Sequence, residues 1–266
     1  MPTKLTTPLS LQIPATPLSP SSFAPFGDAI ANPHPDIRPS PSLPAAVLLS
    51  HNAVSANQHT AIKYQNVSAP ADLYAQAPSA SSKPIVSIFS CAARQLLQQP
   101  PAPSRNPPIS TLLPYTYAGP SRAGLLRVDI PERHPFTTQT FVPLAASAGV
   151  PHAAYLVIVA PTLPPTQEDE GLPAPKTGGK GPGLPDLANL KAFVATPGQA
   201  VTYGAGTWHA PMVALGPPGT AIDFVVTQFA SGVGVEDCQE VVIEAQGEGA
   251  GVVVQVPERM PVVAKL

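Results

Sequence analysis

Charge is scarce in this chain of 266 residues. Asp, Glu, Lys and Arg make up 11% of it, against roughly 25% in an average globular protein, and the balance is −2 with His neutral. Such a chain offers no basic field for a phosphate backbone, and no Lys/Arg cluster sits beside aromatic residues, so nucleic acid is excluded as a partner. Cysteine is scarcer still. Cys91 and Cys238 are the only two, far apart and in no CxxC pattern, so neither a disulfide framework nor a thiolate metal site is expected, and both are read as reduced. Long apolar runs are also missing. Prolines interrupt the opening MPTKLTTPLSLQIPATPLSP before a signal-type apolar core can form, and no run reaches the ~20 residues of a membrane span. The expectation is a soluble, cytoplasmic protein with no membrane partner.

Proline is what the chain has in plenty, 38 residues with 19 glycines beside them. Because Pro is shut out of helix interiors and central strands, this composition predicts many turns, little long helix and a β-rich fold. The Pro/Gly/Ser content is densest near 31–46, 75–84, 98–109 and 162–185, which read as surface insertions in one domain covering 1–266. Between them lie short β-type runs: Ile85–Ser90, Gly124–Ile130, Thr138–Pro143, Ala153–Ala160, Ala192–Thr196, Gln199–Tyr203, Ala221–Phe229 and Glu240–Glu244. Eight such strands fit a sandwich, jelly roll or barrel. One helix is predicted near the start, with Ser19 as N-cap, Pro20 at its first position and Gly27 as its stop. A second short helix is predicted through PDLANLKAF, with Asp186 near its N-terminus.

Two clusters hold the polar residues able to carry chemistry. In the first, Glu132-Arg133-His134-Pro135-Phe136-Thr137-Thr138-Gln139, the i and i+2 spacing of Glu132 and His134 points both side chains to one face of an extended chain. The second, Gly198 to Pro211, delivers His209 after a glycine-rich turn. Two β segments that each present a histidine suggest one shared pocket. On composition alone Glu132 and Arg133 make a solvated turn pair and Lys63 is a surface lysine, while Trp208 and Tyr203 fit wall and chemistry equally. Asp223 reads as a buried hydrogen-bond partner. Cys238, with no cationic neighbour in sequence, reads as structural rather than nucleophilic.

These clusters resemble degenerate copies of the two cupin motifs. The first, similar to H-x-H-x(3,4)-E-x6-G, reads Glu132, His134, Gln139 and Ala146 here. The second, similar to G-x5-P-x-G-x2-H-x3-N, reads Gly198, Gly204, Gly206, His209 and Val213. Two of the four metal-ligand positions keep histidine, Glu is a competent hard ligand and Gln a weak neutral one. The resemblance therefore implies a cupin-like all-β barrel or jelly roll with one or two short peripheral helices. It also implies an altered site at Glu132, His134, Gln139 and His209 for a divalent metal such as Ni²⁺, Zn²⁺ or Mn²⁺.

Longer strings resemble the ureidoglycolate lyase family in particular: PLSPSSFAPFGDAI, NQHTAIKYQNV, IPERHPFTTQTFVPL, AYLVIVA, PDLANLKAFVATPGQAVTYGAGTWHAPMVAL and IDFVVTQFASGVGVEDCQEV. They occur in order over most of residues 8–243. One departure is His59, where the family usually places Gly. The resemblance implies cleavage of ureidoglycolate to glyoxylate and urea within purine (allantoin) catabolism, a homodimer, and no nucleotide or redox cofactor. Such cleavage requires a base for the carbinol proton, a donor at the developing alkoxide and an acid for departing urea. Glu132, His134 and His209 are the candidates for base, acid and metal roles, and Gln139 and Tyr203 for orienting substrate. Lys63, Arg94 and Asn57 are the candidate substrate-binding residues, the first two as carboxylate anchors.

Two rivals stand beside this. A cupin dioxygenase or isomerase would carry the full three-His-plus-Glu metal set, which is not here, and a non-enzymatic metabolite-binding cupin would be expected to show aromatic platforms, whereas the chain has one Trp.

Overall fold

A computed structural model describes residues 3–97, 124–146, 154–169, 171–247 and 250–257; the predicted insertion at 98–109 lies outside them. Seventeen strands occur among the described residues. They are β1 (Thr3–Thr7), β2 (Ser10–Pro17), β3 (Gly27–Ala31), β4 (Val54–Ala56), β5 (Ala61–Lys63), β6 (Lys83–Ala92), β7 (Gly124–Val128), β8 (Glu132–Arg133) and β9 (Gln139–Ala146). Then follow β10 (Ala154–Ala160), β11 (Lys191–Ala195), β12 (Gln199–Tyr203), β13 (Trp208–His209), β14 (Val213–Leu215), β15 (Ala221–Ala230), β16 (Gln239–Ala245) and β17 (Gly251–Val256). The helices are short: α1 (Pro20–Phe23), α2 (Ala45–Leu49) and α3 (Gly234–Asp237). This is a cupin-like, β-barrel-like all-β architecture, as its sequence implies.

The larger sheet runs β1-β16-β8-β13-β10-β11-β2-β17-β7, with β14 also on β10, and the smaller runs β3-β12-β9-β15-β6. Strand β10 is the pivot. Its seven residues AYLVIVA are all buried, the continuous apolar run expected of a strand covered on both faces. Leu156 and Ile158 pack with Val241, Ile243, Val252 and Val254 inside the curl of the larger sheet. Tyr155, Val157 and Val159 face Phe141, Val201, Tyr203, Phe224 and Val226 of the smaller sheet. Each such side chain taken from water is worth about 1.5–3 kcal/mol.

All eight predicted runs are strands, within a few residues at their ends. Ser19 caps α1 as predicted, accepting from the Ser22 amide, but the helix stops at Phe23 and Gly27 opens β3. The second predicted helix is corrected. Asp186 caps only the short 3-10 turn Leu187–Asn189, and Lys191 to Phe193 enter β11, where their apolar residues are covered on the sheet. Strand β2 contains Pro14 and Pro17 yet lies between two partners. Residues 10–14 pair only with β17, and 15–17 only with β11, so each half is in effect an edge and tolerates proline. Among the described residues no helix is long and apolar enough to cross a membrane.

Candidate active site

The site forms where two very short strands meet. In β8 and β13, Glu132 and His209 are direct antiparallel partners, so their side chains share a face, and His134 returns to that face two residues on. His209 Nε2 lies 3.5 Å from Glu132 Oε1, and the two imidazole centroids are 5.5 Å apart. Ligand-type atoms of Glu132, His134 and His209 all lie within 4.8 Å of one another. The structure thus brings together the three residues that carry the two motifs.

Local backbone fixes both imidazoles. Nδ1 of His134 is bonded to the Asp237 carbonyl at 2.6 Å, and Nδ1 of His209 to the Thr207 carbonyl at 2.9 Å. A carbonyl only accepts, so both Nδ1 atoms carry a proton, and in the neutral form of each ring Nε2 is the atom with the lone pair. Both Nε2 atoms are buried without a hydrogen-bond partner. The turn that delivers His209 depends on Gly206, whose φ is +79° and whose amide donates to the His134 carbonyl at 2.8 Å. A side chain there would be strained and would press on the Lys180 amide.

The electrostatics favour a neutral His134 beside an ionised Glu132 carboxylate. Burial pushes the His134 pKa down, the neighbouring His209 adds to this, and the Asp237 carbonyl and Glu132 oppose it only in part. For Glu132 burial acts upward, but His209 and then His134, each when it carries its second proton, together with the Cys238 thiol, outweigh it and hold the carboxyl below its ordinary value. Tyr203 is pushed well above the ordinary phenol range by burial, then by Tyr155 and Glu132. It stays protonated at neutral pH.

Gln139 and Tyr203 belong to this place. They are register partners in β9 and β12, and the Tyr203 ring stacks on His209 with centroids 4.0 Å apart. Gln139 Nε2 donates to Gln228, while its Oε1 is buried without a partner. Lys63 and Asn57 sit elsewhere, both exposed on the β4–β5 hairpin, which pairs with neither large sheet. Arg94 lines a separate small cavity with Arg127, Asp129, Ala210 and Pro211; burial lowers its pKa and Asp129 partly restores it. His59 has φ +72°, the left-handed backbone that glycine adopts without cost, and its Nδ1 is held to Ser55 Oγ at 2.9 Å.

Two neighbours complete the surroundings, Cys238 as the structural thiol expected and Arg133 buried, not solvated in a turn. Cys238 Sγ donates to Glu132 Oε2 at 3.9 Å, and burial with nearby carboxylates pushes its thiol up to about 12, which keeps it a donor and a poor nucleophile. Arg133, between Glu132 and His134, is fully buried and faces away from them, with its guanidinium 4.4 Å from the Trp208 ring centre. Burial pushes its pKa down to about 10.

Comparison with known proteins gives the family. The family description "Ureidoglycolate lyase" matches residues 10–248. A ureidoglycolate lyase of Schizosaccharomyces pombe is 33% identical over 229 residues, 86% of this chain and 90% of the relative. One from Saccharomyces cerevisiae is 34% identical over 176 residues, 66% of this chain and 69% of the relative. A bacterial one, from Burkholderia mallei, is 32% identical over 110 residues, 41% of this chain and 48% of the relative. With a match spanning most of its length, the chain belongs to the ureidoglycolate lyase family.

Proposed function

We propose that this protein is a ureidoglycolate lyase whose active site is the Glu132, His134 and His209 group. The observation that carries the reading is the pair of buried Nε2 lone pairs beside the Glu132 carboxylate, each imidazole locked by a backbone carbonyl at Nδ1. A neutral, oriented imidazole and an ionised carboxylate are the groups needed to move two protons at neutral pH.

Ureidoglycolate carries a hydroxyl and a ureido nitrogen on one carbon. A base chosen from His134 and Glu132 takes the hydroxyl proton, the C–O bond becomes C=O, and the C–N bond breaks with its electrons passing to nitrogen. An acid of the same group returns a proton to that nitrogen, so glyoxylate and intact urea leave with all atoms accounted for and no redox or nucleotide cofactor. Tyr203 and Gln139 orient the substrate, the Gln139 Oε1 being an unused acceptor. Arg94, Lys63 and Asn57 stand further out as substrate-binding residues, and the separate small cavity that Arg94 lines supports the first of these more than the exposed hairpin supports the others.

The orphaned Nε2 atoms and the Gln139 Oε1 also fit a divalent metal such as Ni²⁺, held by His134, His209 and Glu132 with Gln139 as a weak fourth ligand. Such an ion would supply charge stabilisation for the developing alkoxide. The chain is read as one cytoplasmic domain and as a homodimer; the ten-residue outer strand β6 exposes Val86 and Ile88, an edge that a second copy can cover. The test is to incubate purified protein with racemic ureidoglycolate and follow glyoxylate and urea together. Equal yields of both are expected; ammonia in stoichiometric amount with no urea would overturn the reading.

A further inference from the structure

The β8 and β13 bridge has two faces, and the face turned away from Glu132 and His209 is as heavily bonded as the chemical one. Arg133 reaches from it with every arm of its guanidinium engaged. Nε donates to Gln239 Oε1 at 2.9 Å, Nη1 to the carbonyls of Gly181 and Gly183 at 2.8 and 3.0 Å, and Nη2 to the Pro182 carbonyl at 2.7 Å. Among the described residues no carboxylate lies within ion-pair distance of it. Trp208, next to His209, donates its Nε1 to the same Gly183 carbonyl at 3.0 Å.

The accepting segment is itself fixed. The Leu163 amide donates to the Leu184 carbonyl at 2.8 Å, and a Cβ on Gly183 would lie 1.8 Å from the Leu163 carbonyl oxygen. Asp169 favours the cation only from beyond ion-pair distance, and a buried guanidinium so loosely paired is costly unless its donors find acceptors. Here three successive carbonyls and one amide oxygen take four of its N–H donors in a planar fork that a lysine ammonium does not reproduce.

We propose that Arg133 is a positioning residue for Glu132, His134 and His209. With Trp208 it ties both site-bearing strands to one set of carbonyls, Gly181 to Gly183, and so sets the distance between the two histidines and the carboxylate. Glu132 and His134 flank Arg133 in the chain, so a shift of its backbone moves both, and a shift of Trp208 moves His209. A displacement near 1 Å at such a site costs up to about 10²-fold in rate.

The kinetic arm of the test rests on the lyase reading, and a second arm does not. Arg133→Lys, Trp208→Phe and the double variant of the full chain are compared with the parent for kcat and KM on ureidoglycolate. Each single change should lower kcat at least about tenfold with KM within about twofold. The double variant should fall within about threefold of the worse single, because both bonds hold the same Gly183 carbonyl. In the second arm, the ¹⁵N resonances of the His134 and His209 Nε2 atoms, read at one fixed pH, should shift in both variants. Folded Arg133→Lys protein with kcat within about twofold of the parent, or losses that multiply in the double variant, would overturn the proposal. If the parent itself does not split ureidoglycolate, the function reading falls and the ¹⁵N arm decides, unchanged resonances overturning the clamp. Should Arg133→Lys not fold, Trp208→Phe alone carries the test, since it removes one hydrogen bond and keeps an aromatic ring.

Discussion

The imidazole of His209 lies flat against the Tyr203 ring, with planes 12° apart and centroids 4.0 Å apart. His209 hangs from a two-residue strand, and so short an element needs an outside surface to fix the ring plane. Tyr203 provides that surface from the opposite sheet. It is itself wedged edge-on against Phe141, with centroids 6.0 Å apart.

Tyr203→Phe keeps the ring plane but removes the hydroxyl offered to substrate, so kcat is expected within about threefold of the parent, KM should rise, and the melting temperature should be nearly unchanged. Tyr203→Leu removes the stack, worth about 0.5–1.5 kcal/mol for an aromatic pair, and leaves part of its space empty. It should lose about 1–3 kcal/mol of stability and lower kcat roughly tenfold. Equal kcat values for the Phe and Leu variants would show that the ring plane does not matter.

Chelation tests the metal. Dialysis against dipicolinate should strip a divalent ion from the Glu132, His134 and His209 group, lowering kcat at least about tenfold, and re-addition of the ion should restore it. His134→Ala protein should hold no ion by elemental analysis. Full activity in protein shown to be metal-free would leave the carboxylate and imidazoles as the whole apparatus.

The sequence showed its longer strands because four or more residues suffice for an apolar pattern, as in AYLVIVA of β10. It hid β8 and β13, since two residues have no period; Glu132 and His209 were joined by cupin-like spacing and not by strand prediction. GVVVQV of β17 carries a strand-type apolar run as well, while Pro14 and Pro17 mask β2, because the proline rule assumes a strand paired on both sides along its length. Glu132 and His134 were legible from their i, i+2 spacing, and His209 from its glycine lead-in. Arg133 was not, because nothing local tells that a charged residue between two site residues will find carbonyls from a segment about fifty positions away. The exposed placement of Lys63 and Asn57 follows from their hairpin, which no periodicity tied to the barrel.

Thiol chemistry gives an independent check on burial. Burial and then Asp223 push the Cys91 thiol up to about 11, so below its pKa the reactive thiolate is scarce. At pH 7.5 native protein should alkylate at Cys91 at least about a hundredfold more slowly than the urea-unfolded chain, because its thiolate is scarcer by at least that factor. Equal rates, mapped to Cys91 by peptide mass, would mean the strand pair β6–β15 opens freely.

His209→Ala decides the site. The change removes one of the two Nε2 lone pairs, the group 3.5 Å from Glu132 Oε1 and the partner of the Tyr203 stack. Whether His209 serves as acid, base or ligand, kcat/KM should fall by about 10² or more, on the order of 3 kcal/mol of transition-state stabilisation. Folding must be shown intact, and the near-ultraviolet signal of the single Trp, which adjoins His209, reports it locally. Cys91→Ser, on the far strand pair, serves as the control expected to keep kcat/KM within about twofold. His134→Ala should match the His209 loss, because its Nε2 is the other buried lone pair of the group. A folded His209→Ala protein with near-parental turnover would break the assignment even though the family membership stood, and the two motifs would then account for the barrel and not for its chemistry.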